Sequence, residues 1–116
     1  GGRGIFINYS IRSDASFMTC GYTRSVIPPW GLNQGEPGST NYVEVLRVNG
    51  SRERYAMASS IRLDAGDLVQ IRTGAGGGYG PAAERDNEAV RTDLKNGYID
   101  TQTASAIYGV HVWVEP

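Results

Sequence analysis

Cysteine and histidine are almost missing from this chain, with Cys20 and His111 the sole representatives, and lysine is reduced to Lys95. A lone cysteine forms no internal disulfide, which fits a reducing compartment. Cys20 lies between Thr19 and Gly21 with no neighbouring cation to lower its pKa, so it reads as a structural thiol. A metal site needs ligands that converge, and one His and one Cys 91 positions apart do not supply them. Long apolar runs are absent too: nothing approaches the roughly 20 residues that cross a bilayer, and the start carries no signal-peptide pattern. A soluble, cytoplasmic setting with no membrane partner is expected. Strong charge is equally lacking. The chain holds 11 basic and 12 acidic residues and a net charge of −1, too balanced for a nucleic-acid partner. An initiating Met is missing ahead of Gly1-Gly2-Arg3-Gly4, so residues 1–116 are expected to be a single domain cut from a longer polypeptide.

Glycine is abundant instead, at 16 of 116 residues. The stretch TGAGGGYGPAAERD, 73–86, places Gly74, Gly76, Gly77, Gly78 and Gly80 within seven positions. Such a passage is expected to be a backbone-conformation device with several of these glycines at positive φ and no bound phosphate. A second irregular segment, SVIPPWGLNQGEPGSTN (25–41), carries three prolines and three glycines and sustains neither helix nor ladder. Long loops of this kind bind something or pack on a partner. Its Pro-Pro-Trp-Gly core, 28–31, reads equally as a pocket wall, a docking point or a plug over a sheet end.

Between these loops the pattern is β. Ile5, Ile7, Tyr9 and Ile11 alternate with Phe6, Asn8 and Ser10, the signature of a half-buried strand. Residues 17–24 form a second strand, 42–59 a hairpin around a two-residue type I′ turn at Asn49-Gly50, and 68–73 a strand after a turn at Ala65-Gly66. Helical signals follow. Asp86 is an N-cap, Ala89, Val90 and Leu94 share a face, and Gly97 is a stop, predicting a helix over about 87–96. Asp100 or Thr101 caps a second short helix ending at Gly109, and alternating Val110, Val112 and Val114 predict a final strand. The fold class expected is α+β: a mostly antiparallel sheet, two short C-terminal helices and a last strand.

Catalytic motifs are weak. No Lys-Ser/Thr pair follows the glycines, which excludes a Walker A loop. Gly78-Tyr79-Gly80-Pro81-Ala82-Ala83 spells a loose dinucleotide pattern, with Asp100 about 20 residues on, but Pro81 and the late helix start disagree with that motif. His111 with Asp100 as its orienter is a formal acid–base pair; beside Trp113 on a strand, His111 reads more simply as a surface residue.

The order GGRGIFINYSI, PPWGLNQGEPGSTNYV, then RLDAGDLVQIRTGAGGGYGPAAERDNEAVRTDLKNGYIDTQTASAIYGV resembles the C-terminal part of hydantoinase B/oxoprolinase family subunits, from Gly1 to about Val110. Ala75 and Asn33-Gln34-Gly35 depart from the Pro or Gly and the double glycine common there. The resemblance implies a piece of an ATP-dependent machine that opens cyclic amides such as hydantoins and 5-oxoproline, or, in the acetone carboxylase branch, carboxylates ketones. It further implies a hydantoinase A type subunit and the upstream part of the same polypeptide as partners, ATP and a divalent metal used by the parent with ligands upstream, and no cofactor held by this chain. Trp30, Gly31, Gly76, Gly77, Gly78, Tyr79 and Gly80 are the loop positions expected nearest a partner or the active site, with the chain an inert, self-associating scaffold alone. The competing reading is a free-standing β-rich binding or structural module.

Overall fold

The computed structural model describes residues 1–111. Six strands come first: β1 (Phe6–Ser10), β2 (Ser16–Gly21), β3 (Tyr42–Leu46), β4 (Arg52–Tyr55), β5 (Met57–Leu63) and β6 (Leu68–Arg72). Two helices follow, α1 (Asn87–Lys95) and α2 (Thr101–Ala106). The class is α+β, as expected, and every strand pair is antiparallel. The final strand expected over 110–115 lies mostly outside the described residues.

The strands divide into two sheets instead of one, with order β1-β6-β3-β4 in the first and a two-stranded β2-β5 ribbon. The division occurs at Ala56, where the run from 52 to 63 leaves the β3 edge and its carbonyl accepts from Tyr22 N–H at 2.8 Å beside β2. Register aligns Ile7, Ile71, Val43 and Tyr55 across one face, with Tyr9, Val69, Val45 and Glu53 in the next row. That face, together with Leu63 of the ribbon, forms the main core, in which Val43, Val45, Leu63 and Val69 are buried. β-branched valines suit this central, doubly flanked position.

β1 departs from its half-buried expectation. Its alternation is right, since Ile7 and Tyr9 share the core-side rows, but all five residues are exposed. As the outermost strand it pairs only with β6, and the ribbon does not extend over it. The hairpin at 47–51 also differs from the two-residue turn. Arg47 N–H donates to Ser51 O at 2.8 Å and Gly50 N–H to Arg47 O at 2.9 Å, which makes a three-residue loop with Gly50 at φ 87 as its bulge. Asn49 keeps an ordinary negative φ and accepts Ser51 N–H on Oδ1 at 2.9 Å.

A polar brace holds that loop. Asp67 is buried and accepts from Arg47 Nη1 at 2.9 Å, Asp64 N–H at 3.0 Å and Val48 N–H at 3.2 Å. Arg47 also reaches Glu53 at 2.5 Å. The bond from Arg47, then that from the Tyr55 hydroxyl, holds the Glu53 carboxyl below its ordinary pKa. Asp67 is lowered first by the Asp64 amide and further by Arg47, against its own desolvation. Arg47 is correspondingly raised, chiefly by the bond to Glu53.

The helices follow their sequence signals closely. Asp86 accepts Ala89 N–H at 3.0 Å and Asp100 accepts Thr103 N–H at 2.7 Å, each capping its helix. Gly97 and Gly109 stop them at φ 73 and 69. Their shared apolar cluster, Val90, Ala104 and Val110 with Ile99 and Tyr108 at its margin, is distinct from the sheet core.

Candidate functional site

Backbone is the main material of the site. Three glycine-bearing segments, 1–4, 31–38 and 74–80, run beside one another and are tied by amides: Gly76 N–H to Gly2 O at 2.9 Å, Gly78 N–H to Glu36 O at 2.8 Å, Ser39 N–H to Ala75 O at 3.1 Å. Leu32 and Tyr79 form a parallel bridge, with Leu32 N–H on Gly78 O and Gly80 N–H on Leu32 O, both at 2.9 Å. Side chains complete the lattice where Asn41 Oδ1 takes Gly74 N–H at 2.6 Å and Ser39 Oγ takes Ala75 N–H at 2.8 Å.

The reason for the glycines differs from the expectation. Of Gly74, Gly76, Gly77, Gly78 and Gly80, only Gly80 has positive φ, at 74. The others serve close approach. A Cβ on Gly77 would fall on the Trp30 carbonyl, one on Gly74 on the Ser39 carbonyl, and one on Gly31 on the Gly35 carbonyl, all under 3.0 Å. Gly35 and Gly38 are crowded in the same way by Gly78 and Ala75. Any side chain at these points would wedge the segments apart.

The lattice has a consequence for nucleotide binding. The amides that a phosphate would need, those of Gly74, Ala75, Gly76, Gly78 and Gly80, are engaged by protein acceptors. These residues do not fit a phosphate cradle. Nor, among the described residues, do three or more His, Cys, Asp or Glu side chains converge to hold a metal. ATP and a divalent metal therefore have no fitted seat in the described part of this chain.

What the lattice displays is aromatic and apolar. Trp30 and Leu32 are exposed, Tyr79 is 76% exposed, and the Arg24 guanidinium stacks over Trp30 at 4.9 Å. Asn33 Nδ2 donates to the Tyr79 hydroxyl at 2.6 Å. The expected positions Trp30, Gly31 and Gly76–Gly80 are thus brought together, with Gly31 and Gly77 packed beneath the exposed rings. Sequence reading missed Asn33 as a partner of Tyr79. The signal was there, since Asn is the residue type best suited to a left-handed turn, but pairing across 46 positions is set by tertiary structure.

Beside Tyr79 lies an open cleft of about 490 Å³ shared with Glu36, Glu84, Arg85 and Tyr108. A larger apolar cleft of about 560 Å³ opens between ribbon and sheet, lined by Tyr9, Phe17, Met18, Cys20, Val43 and Val69 among others. Cys20 is half-buried there and unpaired. His111 meets the Ser105 hydroxyl through Nδ1 at 3.2 Å. Asp100 is spent on its cap, and its pKa is lowered first by the Thr103 side chain and then by that residue's amide, so it does not orient His111.

An antiparallel platform joined to a glycine lattice, with residues 1–82 matching the hydantoinase B/oxoprolinase family, defines the class: the chain belongs to that family. Among curated relatives, it is 33% identical over 112 residues to an uncharacterized protein of Methanocaldococcus jannaschii, covering 97% of this chain and 20% of that protein. It is 30% identical over 115 residues to a putative D-/L-hydantoinase B-type polypeptide of Pseudomonas sp. (strain NS671), covering 97% and 19%. The chain thus spans about one fifth of the length of the curated relatives it matches. Among solved structures, the ATP-dependent caprolactamase from Pseudomonas jessenii aligns with TM-score 0.47 and 20% identity over 96% of this chain and 18% of its own. No helix among the described residues is long and apolar enough to cross a membrane.

Proposed function

We propose that this chain is the C-terminal domain of a hydantoinase B type subunit, contributing scaffold and subunit interface to a cytoplasmic, ATP-dependent enzyme that opens cyclic amides. Its partners are the upstream part of its own polypeptide and a hydantoinase A type subunit, which supply the nucleotide and metal chemistry. Alone it is inactive. Trp30, Gly31 and Gly76–Gly80 form the loop pair that faces those partners.

The observation that carries this reading is an open core. A self-sufficient interior leaves few voids larger than a water molecule, yet the apolar cleft reaches Val43, Val69 and Leu63, residues of the buried core itself. The surface agrees. The chain exposes 8250 Å², whereas a compact protein of its 12.5 kDa exposes about 6,200 Å². Its radius of gyration is 18.7 Å against about 13 Å for a compact domain of this length. Phe6, Phe17, Val26, Ile27 and Met57 are all well exposed in addition to the loop aromatics, and apolar area on that scale marks an interface.

The test is an assay of hydantoin and 5-oxoproline opening with ATP, following both phosphate release and ring-opened product. The parent complex is expected to turn over and the isolated chain is not. Turnover by the isolated chain overturns the proposal, and ketone carboxylation by the parent would move the reading to the carboxylase branch.

A further inference from the structure

Asn33 and Gln34 stand at φ 48 and 66, and Leu32 O accepts Gly35 N–H at 2.8 Å. Residues 32–35 are therefore a turn with two left-handed central residues, a conformation that glycine adopts freely and Gln does not. Strain kept at an exposed tip points to something the tip must place. What it places is one amide: Asn33 Nδ2, donating to the Tyr79 hydroxyl oxygen at 2.6 Å. A phenol oxygen that already accepts has its own O–H left to give.

We propose that Asn33 is a positioning residue that occupies the acceptor side of the Tyr79 hydroxyl, turning its O–H outward as a donor to a backbone carbonyl in the remainder of the parent polypeptide. The inference rests on the reading that the lattice loops face a partner body, and adds which group meets it and how that group is aimed. Three observations select the occupant. The matched relatives are about five times longer than this chain, so a large body of the same polypeptide is at hand. Trp30, Leu32 and Tyr79 stand exposed on a backbone that crowded glycines and amide bonds between segments make rigid, the pre-organised aromatic anchor typical of binding hot spots. Finally, the cleft beside Tyr79 presents Glu36 and Glu84 against a single Arg85 that is already bound to Asp93 at 2.6 Å. That balance disfavours a carboxylate acceptor and favours a neutral carbonyl.

The test uses the full-length parent polypeptide and two readouts: tetranitromethane modification of Tyr79, and hydrogen exchange of the Gly80 amide, which is bonded within the lattice. Tyr79 is expected to be protected from nitration. Tyr79→Phe and Asn33→Asp are each expected to speed Gly80 exchange about tenfold, the worth of one lost hydrogen bond. In Asn33→Asp the carboxylate accepts the phenol proton and turns it inward. Asn33→Gly keeps the turn without the amide and should speed exchange about threefold, since the hydroxyl is then unaimed but present. The double change Asn33→Asp with Tyr79→Phe should be no worse than Tyr79→Phe alone. If Asn33 only shapes the turn, Asp and Gly, both at home at positive φ, will exchange like the wild type. That result, with Tyr79 protected, overturns this inference alone. Ready nitration of Tyr79 shows an uncovered loop and overturns it together with the reading beneath it.

Discussion

Gly77→Ala is the sharpest perturbation of this fold. The added methyl would lie on the Trp30 carbonyl, with Gly31 N also crowded, at 3.0 Å. Both neighbours are backbone, so no flexible side chain can swing aside. Overpacking of this type costs about 1–3 kcal/mol. Relief requires the 74–80 segment to part from 30–36, which breaks the bonds from Leu32 N–H to Gly78 O and from Gly78 N–H to Glu36 O, at about 1 kcal/mol each. A loss of about 3–5 kcal/mol is expected, a large part of a domain's usual 5–15 kcal/mol or so. The adjacent Gly78 is the control. Its added methyl would meet Glu36 N and O at 3.5 Å, ordinary contact, and alanine restricts the unfolded chain by about 0.4–1 kcal/mol in its favour. Gly78→Ala should therefore be near neutral. Gly80→Ala, with φ 74 and open space around it, should lose about 1–2 kcal/mol. Urea unfolding followed by far-UV circular dichroism measures all three. Equal midpoints for Gly77→Ala and Gly78→Ala, or Gly80→Ala as the worst of the set, would refute close approach as the reason for the glycines.

Further outcomes concern charge, caps and surface. Asp67→Asn should cost about 2–4 kcal/mol at neutral pH, because it leaves Arg47 half-paired and weakens two amide bonds; chemical denaturation reads this directly. Glu53 and Asp67 have folded pKa values below their unfolded ones. Their stabilisation is full above the unfolded carboxylate pKa and is lost as pH falls through the folded values, so acid unfolding should begin below about pH 4. In Asp67→Asn the pH dependence should be shallower. Asp86→Ala and Asp100→Ala should each lose about 1 kcal/mol, seen as faster amide exchange in α1 or α2 with the strands unaffected. Sedimentation of the isolated chain should reveal self-association through its exposed apolar surface, and a clean monomer at high concentration would count against the interface reading.

Local chemistry was enough to specify the helical end of this chain. Asp86 and Asp100 cap, Gly97 and Gly109 stop, and Val90 lies inside, because each effect acts within one helical turn and depends on neighbours a few residues away. The alternation of β1 and the hairpin at 42–55 were legible for the same reason, and the clustering of glycine marked where the unusual backbone would be. Three matters belonged to tertiary structure. Alternation assigns faces but not cover, so it could not show that β1 would stand at an open edge. Strand propensity carries through Ala56 without a break, so the passage of the chain from sheet to ribbon was invisible until β2 stood beside β5. And a glycine spared of side chain for its φ is identical in sequence to one spared for a neighbour's carbonyl. Gly77 became the second kind only when Trp30, 47 positions earlier, was folded against it, since the clash that excludes a Cβ there exists in space and nowhere along the chain.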